Sequence, residues 1–157
     1  MTNATKRTLE ERVDEIESRY AISALVAGYC EGVDRKDNER FFGLWHDDAA
    51  YLIPGGRGNF HGIDGIRESQ QVIAKAWKQT YHWTTNHTVS FSSPDRAIGR
   101  SDVFALCQHH DETKVSFVGG TYQDVYERRD GVWKFAERLV QRWFVSAGEQ
   151  IPLLPPF

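Results

Sequence analysis

Only two cysteines occur in 157 residues, Cys30 within a helical pattern and Cys107 within a strand pattern, so no disulfide framework organises this chain and both are expected as buried free thiols. No apolar run is long enough to span a bilayer, and the opening MTNATKRTLEERV lacks the apolar stretch of a signal peptide. A soluble, cytoplasmic protein without a membrane partner is expected. Basic excess is also missing: 19 Lys and Arg stand against 22 Asp and Glu, scattered rather than gathered into a stripe, for a net charge of −3. That balance argues against nucleic acid as a partner. There is no strand, GxGxxG and helix unit for a dinucleotide, and the stretch Gly55–Gly58 lacks the lysine and hydroxyl of a phosphate cradle. Serine-nucleophile signals are absent. Six histidines invite a metal, but His82 and His87 differ in strand parity and the adjacent His109 and His110 point to opposite faces, so neither metal nor cofactor is expected.

What is present is a globular pattern, 40% hydrophobic and 13% aromatic, which suits one domain with a real core over 1–157, about 8–146 being the body and 147–157 an extension. Leu9, Val13, Ile16, Tyr20, Ile22, Leu25, Val26, Tyr29 and Val33 recur at helical spacing, predicting one long amphipathic helix from Thr8 to about Val33, with Thr8 and Glu11 as a capping box. Asn38 is the expected cap of a short second helix, AAYLIP reads as a strand ended by Gly55–Gly58, and Asp64 as the cap of a third helix through Trp77. Four strand segments follow, near Tyr81–Phe91, Ala97–His109, Lys114–Arg128 and Val132–Val145, with turns at Ser93–Pro94–Asp95 and Arg129–Asp130–Gly131. Helices first and long antiparallel strands later predict α+β, a curved sheet wrapped on helices. The tail IPLLPPF, with three prolines, is expected to lie across an apolar surface.

Three polar residues set in hydrophobic segments carry the functional reading. Asp34 extends the apolar side of the long helix at its C-terminal end, where negative charge opposes the helix dipole. A solvated acid in the loop DRKDNER is the plainer reading of that segment alone, so function needs a partner. His82 is the natural one, because a neutral imidazole takes a proton near physiological pH and a carboxylate on its other nitrogen supports the imidazolium. Arg138 and Arg142 share one strand face with Ala136, Val140 and Phe144; either pairs with Glu137 or Glu149, or stabilises developing negative charge. Parity also puts Tyr81, Trp83, Val89 and Phe91 opposite to His82, needing cover such as an oligomer interface unless a bulge reverses the phase.

At GVDRKD, LWHDDAAY, FHGIDGI, TYHWTTN and YERRDGVWKF the sequence resembles the SnoaL-like branch of the nuclear transport factor 2 superfamily, and its dehydrochlorinase and dehydratase members in particular. The resemblance implies a cone of curved mixed sheet closed by N-terminal helices. It also implies a homo-oligomer, with a trimer favoured over a dimer. By the same resemblance Asp34 and His82 would form a catalytic dyad, Arg138 would assist the leaving group, and Tyr29, Tyr51, Val103, Ala105 and Arg142 would bind substrate. The dehydrochlorinase carries a lysine where this chain has Tyr29; a tyrosine there is similar to the dehydratases. The expected function is a cofactor-independent lyase acting on a small hydrophobic, cyclic molecule. The alternatives are an isomerase or cyclase with the same base, or a binding or assembly module without chemistry.

Overall fold

A reciprocal cap begins the first helix: Thr8 Oγ1 accepts from Glu11 N at 3.1 Å and Glu11 returns a bond to Thr8 N at 2.7 Å. These contacts belong to a computed structural model that describes residues 7–151, so the expectation for segment 152–157 lies outside the described residues. Helix α1 spans Leu9–Asp34 and buries Ile22, Leu25, Val26, Tyr29 and Val33. Its first half does not follow the expected apolar stripe. Leu9, Val13, Ile16 and Tyr20 are exposed, because polar contacts hold the sheet-facing side there: Ser18 Oγ accepts from Trp133 Nε1 at 3.1 Å, and Arg128 reaches Asp14 at 2.6 Å.

The helix ends in a Schellman turn, with Asp37 N bonded to Gly32 O, Lys36 N to Val33 O, and Lys36 in the left-handed region at φ 56°. That turn hands Asp37, not Asn38, the capping role for α2 (Asn38–Gly43), through a 3.0 Å bond from Arg40 N to Asp37 Oδ1. Gly32 lets the two helices touch, since a Cβ there would lie 3.0 Å from Phe41 Cβ and 3.1 Å from its Cα.

Strand β1 (Trp45–Leu52) turns at Gly55–Gly58 into β2 (Asn59–His61), a strand the sequence pattern did not reveal. Helix α3 (Gly62–Ala76) then leaves β2 directly, turned by Gly62 at φ 68°. Its N-cap is therefore His61, without a side-chain bond, and Asp64 sits inside the first turn, where an acid complements the dipole rather than capping it. Strands β3 (Gln79–Ser93), β4 (Arg96–Gln108), β5 (Val115–Arg129) and β6 (Val132–Val145) follow as antiparallel neighbours. The last hairpin closes on Asp130 and Gly131, both at positive φ, as a two-residue loop of this hand requires.

The six strands form one curved, unclosed mixed sheet in the order β2-β1-β6-β5-β4-β3, with β1 and β6 parallel. Helices packed on one side of such a sheet make the α+β architecture. Trp45, Phe41, Phe135, Tyr126 and Ile66 fill the space between them, each essentially inaccessible to water. Each such side chain contributes about 1.5–3 kcal/mol through apolar burial.

Bulges reset the strand parity. The β3–β4 register shifts between Thr85 and Thr88, where Asn86 adopts φ 53°. Before the shift Thr80 and His82 face the helices; after it Val89 and Phe91 do, packed against the core. Val89 and Phe91 thus leave the outer set that simple alternation gave them, and Trp83 stays outside. A second shift in β6 skips Ala136, placing Phe135 and Arg138 on the inner side.

Gly32→Ala should push α2 from α1 and cost about 1–3 kcal/mol as an overpacking change. Chemical denaturation of the variant and wild type reads this directly; equal midpoints would show that the helices move apart freely.

Candidate active site

Asp34 is the last residue of α1, and β3 is an edge strand, so alternate β3 N–H groups face away from β4. The two meet. His82 N donates to Asp34 Oδ2 at 2.6 Å, Thr80 Oγ1 donates to Oδ1 at 2.9 Å, and His82 Nδ1 lies 2.6 Å from Oδ1. Gln79 Nε2 also donates to the Asp34 carbonyl at 2.5 Å. Three donors thus satisfy a carboxylate that the helix dipole would otherwise disfavour. An ionised carboxylate only accepts, so Nδ1 carries the proton and Nε2 is left as the basic atom.

His82 borders an apolar cavity of about 110 Å³ together with Tyr29, Tyr51, Val103, Ala105 and Arg142. A groove of about 420 Å³ between α1, α2 and α3 shares the wall Ile73, Trp77 and Thr80 with it. The groove is larger, but its remaining wall includes Lys36, Asn38, Gln70 and Gln71, and it does not touch His82. The smaller cavity is therefore the candidate site.

Tyr29 and Tyr51 share a 2.6 Å hydroxyl contact in this wall. Burial pushes both phenols well above their ordinary pKa, so they stay protonated at neutral pH and can donate. Cys107 also lines the cavity; burial, reinforced by the Asp34 charge, pushes its thiol up to about 12 and leaves it a poor nucleophile.

Arg138, expected to assist the leaving group, does not line this cavity. It is fully buried beneath the cavity wall, its guanidinium carbon 4.2 Å from the Tyr29 ring centre, 4.1 Å from Tyr122 and 4.4 Å from Phe135. Its partner is neither Glu137 nor Glu149 but Asp124, its register neighbour on β5, through two bonds of 2.8 Å. Tyr126 Oη donates to the same carboxylate at 2.7 Å. Burial opposes the arginine's charge, and Asp124 outweighs it, holding the pKa above the ordinary value. Asp124 escaped the sequence reading, although Tyr122, Asp124 and Tyr126 share one strand parity, an acid flanked by aromatics.

Four other histidines make contacts outside this cavity. His46 pairs with Glu127 O, His109 with Ser116 Oγ, His110 with Ala74 O, and His87 contacts Tyr126 Oη at 3.4 Å. Arg142 reaches only Pro54 O, at 3.4 Å.

A family model described as the SnoaL-like domain matches residues 14–139. The chain belongs to the SnoaL-like family. Among curated relatives, hexachlorocyclohexane dehydrochlorinase 1 of Sphingobium indicum is 32% identical over 126 residues, 80% of this SnoaL-like chain and 81% of the relative. The gamma-hexachlorocyclohexane dehydrochlorinase of the same species is 32% identical over 127 residues, 80% and 81% of the two chains. The hexachlorocyclohexane dehydrochlorinase of Novosphingobium barchaimii superposes with a TM-score of 0.84 at 30% identity, covering 92% of this chain and 99% of that one. A Novosphingobium aromaticivorans protein assigned as a scytalone dehydratase gives 0.79 at 21% identity, over 93% and 99%, and supports the fold alone. The relatives at 30% identity and above are thus lyase-type enzymes.

Asp124→Ala should strand the Arg138 charge and cost about 3–5 kcal/mol, while Asp124→Leu combined with Arg138→Met should recover most of that loss. Denaturation midpoints of the three proteins test it; a small loss in the single variant would mean that water reaches the pair.

Proposed function

We propose that this SnoaL-like chain is a cofactor-independent lyase that eliminates water from a small hydrophobic, cyclic substrate by proton abstraction. The carrying observation is the 2.6 Å contact between His82 Nδ1 and Asp34 on the wall of an apolar cavity. His82 Nε2 takes the proton, and Asp34 holds the imidazole in orientation and offsets the imidazolium charge. The side chains of both are largely withdrawn from water, 11% and 16% exposed, which strengthens that electrostatic support.

The leaving hydroxyl would accept from the protonated Tyr29 phenol, which Arg138 polarises from beneath at 4.2 Å. Arg138 is then a positioning residue for Tyr29 rather than a direct ligand of the departing group. A phenol in place of the dehydrochlorinase lysine favours water over halide. A cavity near 110 Å³ matches a single ring, with Tyr51, Val103, Ala105 and Arg142 shaping its fit.

The same reading places the protein in the cytoplasm as a homo-oligomer, a trimer. Trp83, Phe104 and Phe144 lie in one cross-strand row on the outer face, 53%, 43% and 48% accessible in the isolated chain. Phe104 stacks on Phe117 at 5.6 Å, extending the patch. An apolar aromatic face of this kind is covered in a stable protein, and a second copy is the occupant that presents matching chemistry.

Incubation in D₂O with cyclic β-hydroxy ketones, hydroxylated thioesters and cyclic polyhalides, read by mass spectrometry, tests the chemistry. Loss of water with wild type and a fall of roughly 10²–10⁴-fold for His82→Ala are expected. Deuterium uptake at unchanged skeleton would replace the lyase with an isomerase, and identical behaviour of both proteins would replace it with a binding module. For assembly, Phe104→Lys should lower the mass measured by light scattering to that of one chain; a wild-type protein already of one-chain mass would remove the oligomer.

A further inference from the structure

Two guanidinium groups border the candidate cavity that His82 also lines. Arg57 comes from the turn between β1 and β2, and Arg142 from β6. Among the described residues neither takes part in an ion pair, whereas Arg19, Arg40, Arg96, Arg128, Arg129 and Arg138 each meet a carboxylate. Arg12 and Arg100 also have none, but neither borders this cavity, whereas exposed Arg57 and half-buried Arg142 both do. Among the described residues no acidic side chain lines the cavity. Arg142 is half-buried, and its one hydrogen bond, to Pro54 O, is long at 3.4 Å.

Burial lowers the pKa of Arg142, and repulsion from Arg57 lowers it further. A like-charged pair beside apolar wall, with no counter-charge, is a place prepared for an anion. The planar forks of arginine suit the two oxygens of a carboxylate better than they suit a spherical ion.

Register supplies the spacing. Val103 pairs with Gly120 and Gly120 with Arg142, while His82 pairs with Ala105 on the far side of β4. His82 and Arg142 thus stand on strands three spacings apart, about 14 Å between backbones on an uncurved sheet. Their side chains reach inward from both ends, leaving between them room for about one ring.

We propose that Arg57 and Arg142 form a carboxylate-binding pole, so that the ligand of this cavity is a small apolar ring bearing a carboxylate on the side opposite the carbon facing His82. The role of that carbon rests on the elimination reading above; the charge preference does not. The pole fixes which ring edge meets the base and selects acids over neutral rings of the same shape.

Calorimetric titration of the full chain with benzoate and cyclohexanecarboxylate, each against its primary amide, separates the two ideas. Wild type should bind the acids at least about ten-fold more tightly than the amides, a contrast lost in Arg57→Gln/Arg142→Gln and weakened by added salt. His82→Ala should keep the contrast, because that variant leaves the pole intact. Equal affinity for acid and amide, a contrast that survives in the double variant, or binding of neither probe would overturn the pole. A retained contrast in a protein that eliminates nothing would leave the pole standing and remove only the lyase. Unchanged far-ultraviolet dichroism and thermal midpoint in the double variant ensure that the loss of contrast reports on binding.

Discussion

The buried pair of Arg138 and Asp124 is the interaction around which the interior is arranged. A guanidinium with no access to water is expensive, and the carboxylate alone would not hold it on the inner side of the sheet. Three aromatic rings, Tyr29, Tyr122 and Phe135, stack against it at 4.1–4.4 Å and supply the remaining stabilisation through their negative faces. Two of those rings, Tyr29 and Tyr122, also form cavity wall. The charge in the core and the shape of the cavity are therefore one construction: the ion pair fixes the rings from below, and the rings define the space above.

A second constraint joins the helical layer to the sheet at its weakest place. The free edge of β3 presents unclaimed N–H groups, and the end of α1 presents a carboxylate that its own dipole disfavours. Joining them through Asp34 resolves both at once and fixes the ring of His82 in the same step. A side chain held by three donors has little freedom to drift, so the imidazole is held in one orientation before any ligand arrives.

Periodicity made much of this legible, since the long helix, its capping box and the four long strands follow from spacings of 3.6 and 2 and from turn residues. The pairing of Asp34 with His82 was suggested by chemistry and by resemblance, because nothing in spacing alone joins positions 48 apart. Three features escaped for physical reasons. Asp124 went unnoticed, since its partner is set by the register of β5 on β6 rather than by sequence distance. The outward turn of Leu9, Val13, Ile16 and Tyr20 followed from polar contacts at Asp14 and Ser18 that a hydrophobic pattern does not weigh. Val89 and Phe91 were assigned to the outer face because alternation was counted straight through Asn86.

That residue marks how the fold tolerates insertion and deletion. Loops at Pro94–Asp95 and Asp130–Gly131 lie at strand ends, where a change of length alters only the turn. The irregular step at Asn86 sits between the half of β3 that carries Thr80 and His82 and the half that carries Val89 and Phe91. Removing one residue there restores strict alternation, and one half must then face the solvent side. Either the imidazole leaves Asp34 or Phe91 leaves Trp133, its edge-on neighbour at 5.8 Å. The reading frame of the candidate site and that of the core are thus kept in phase by a single extra residue, and descendants of this chain can lengthen their loops far more readily than they can shorten this strand.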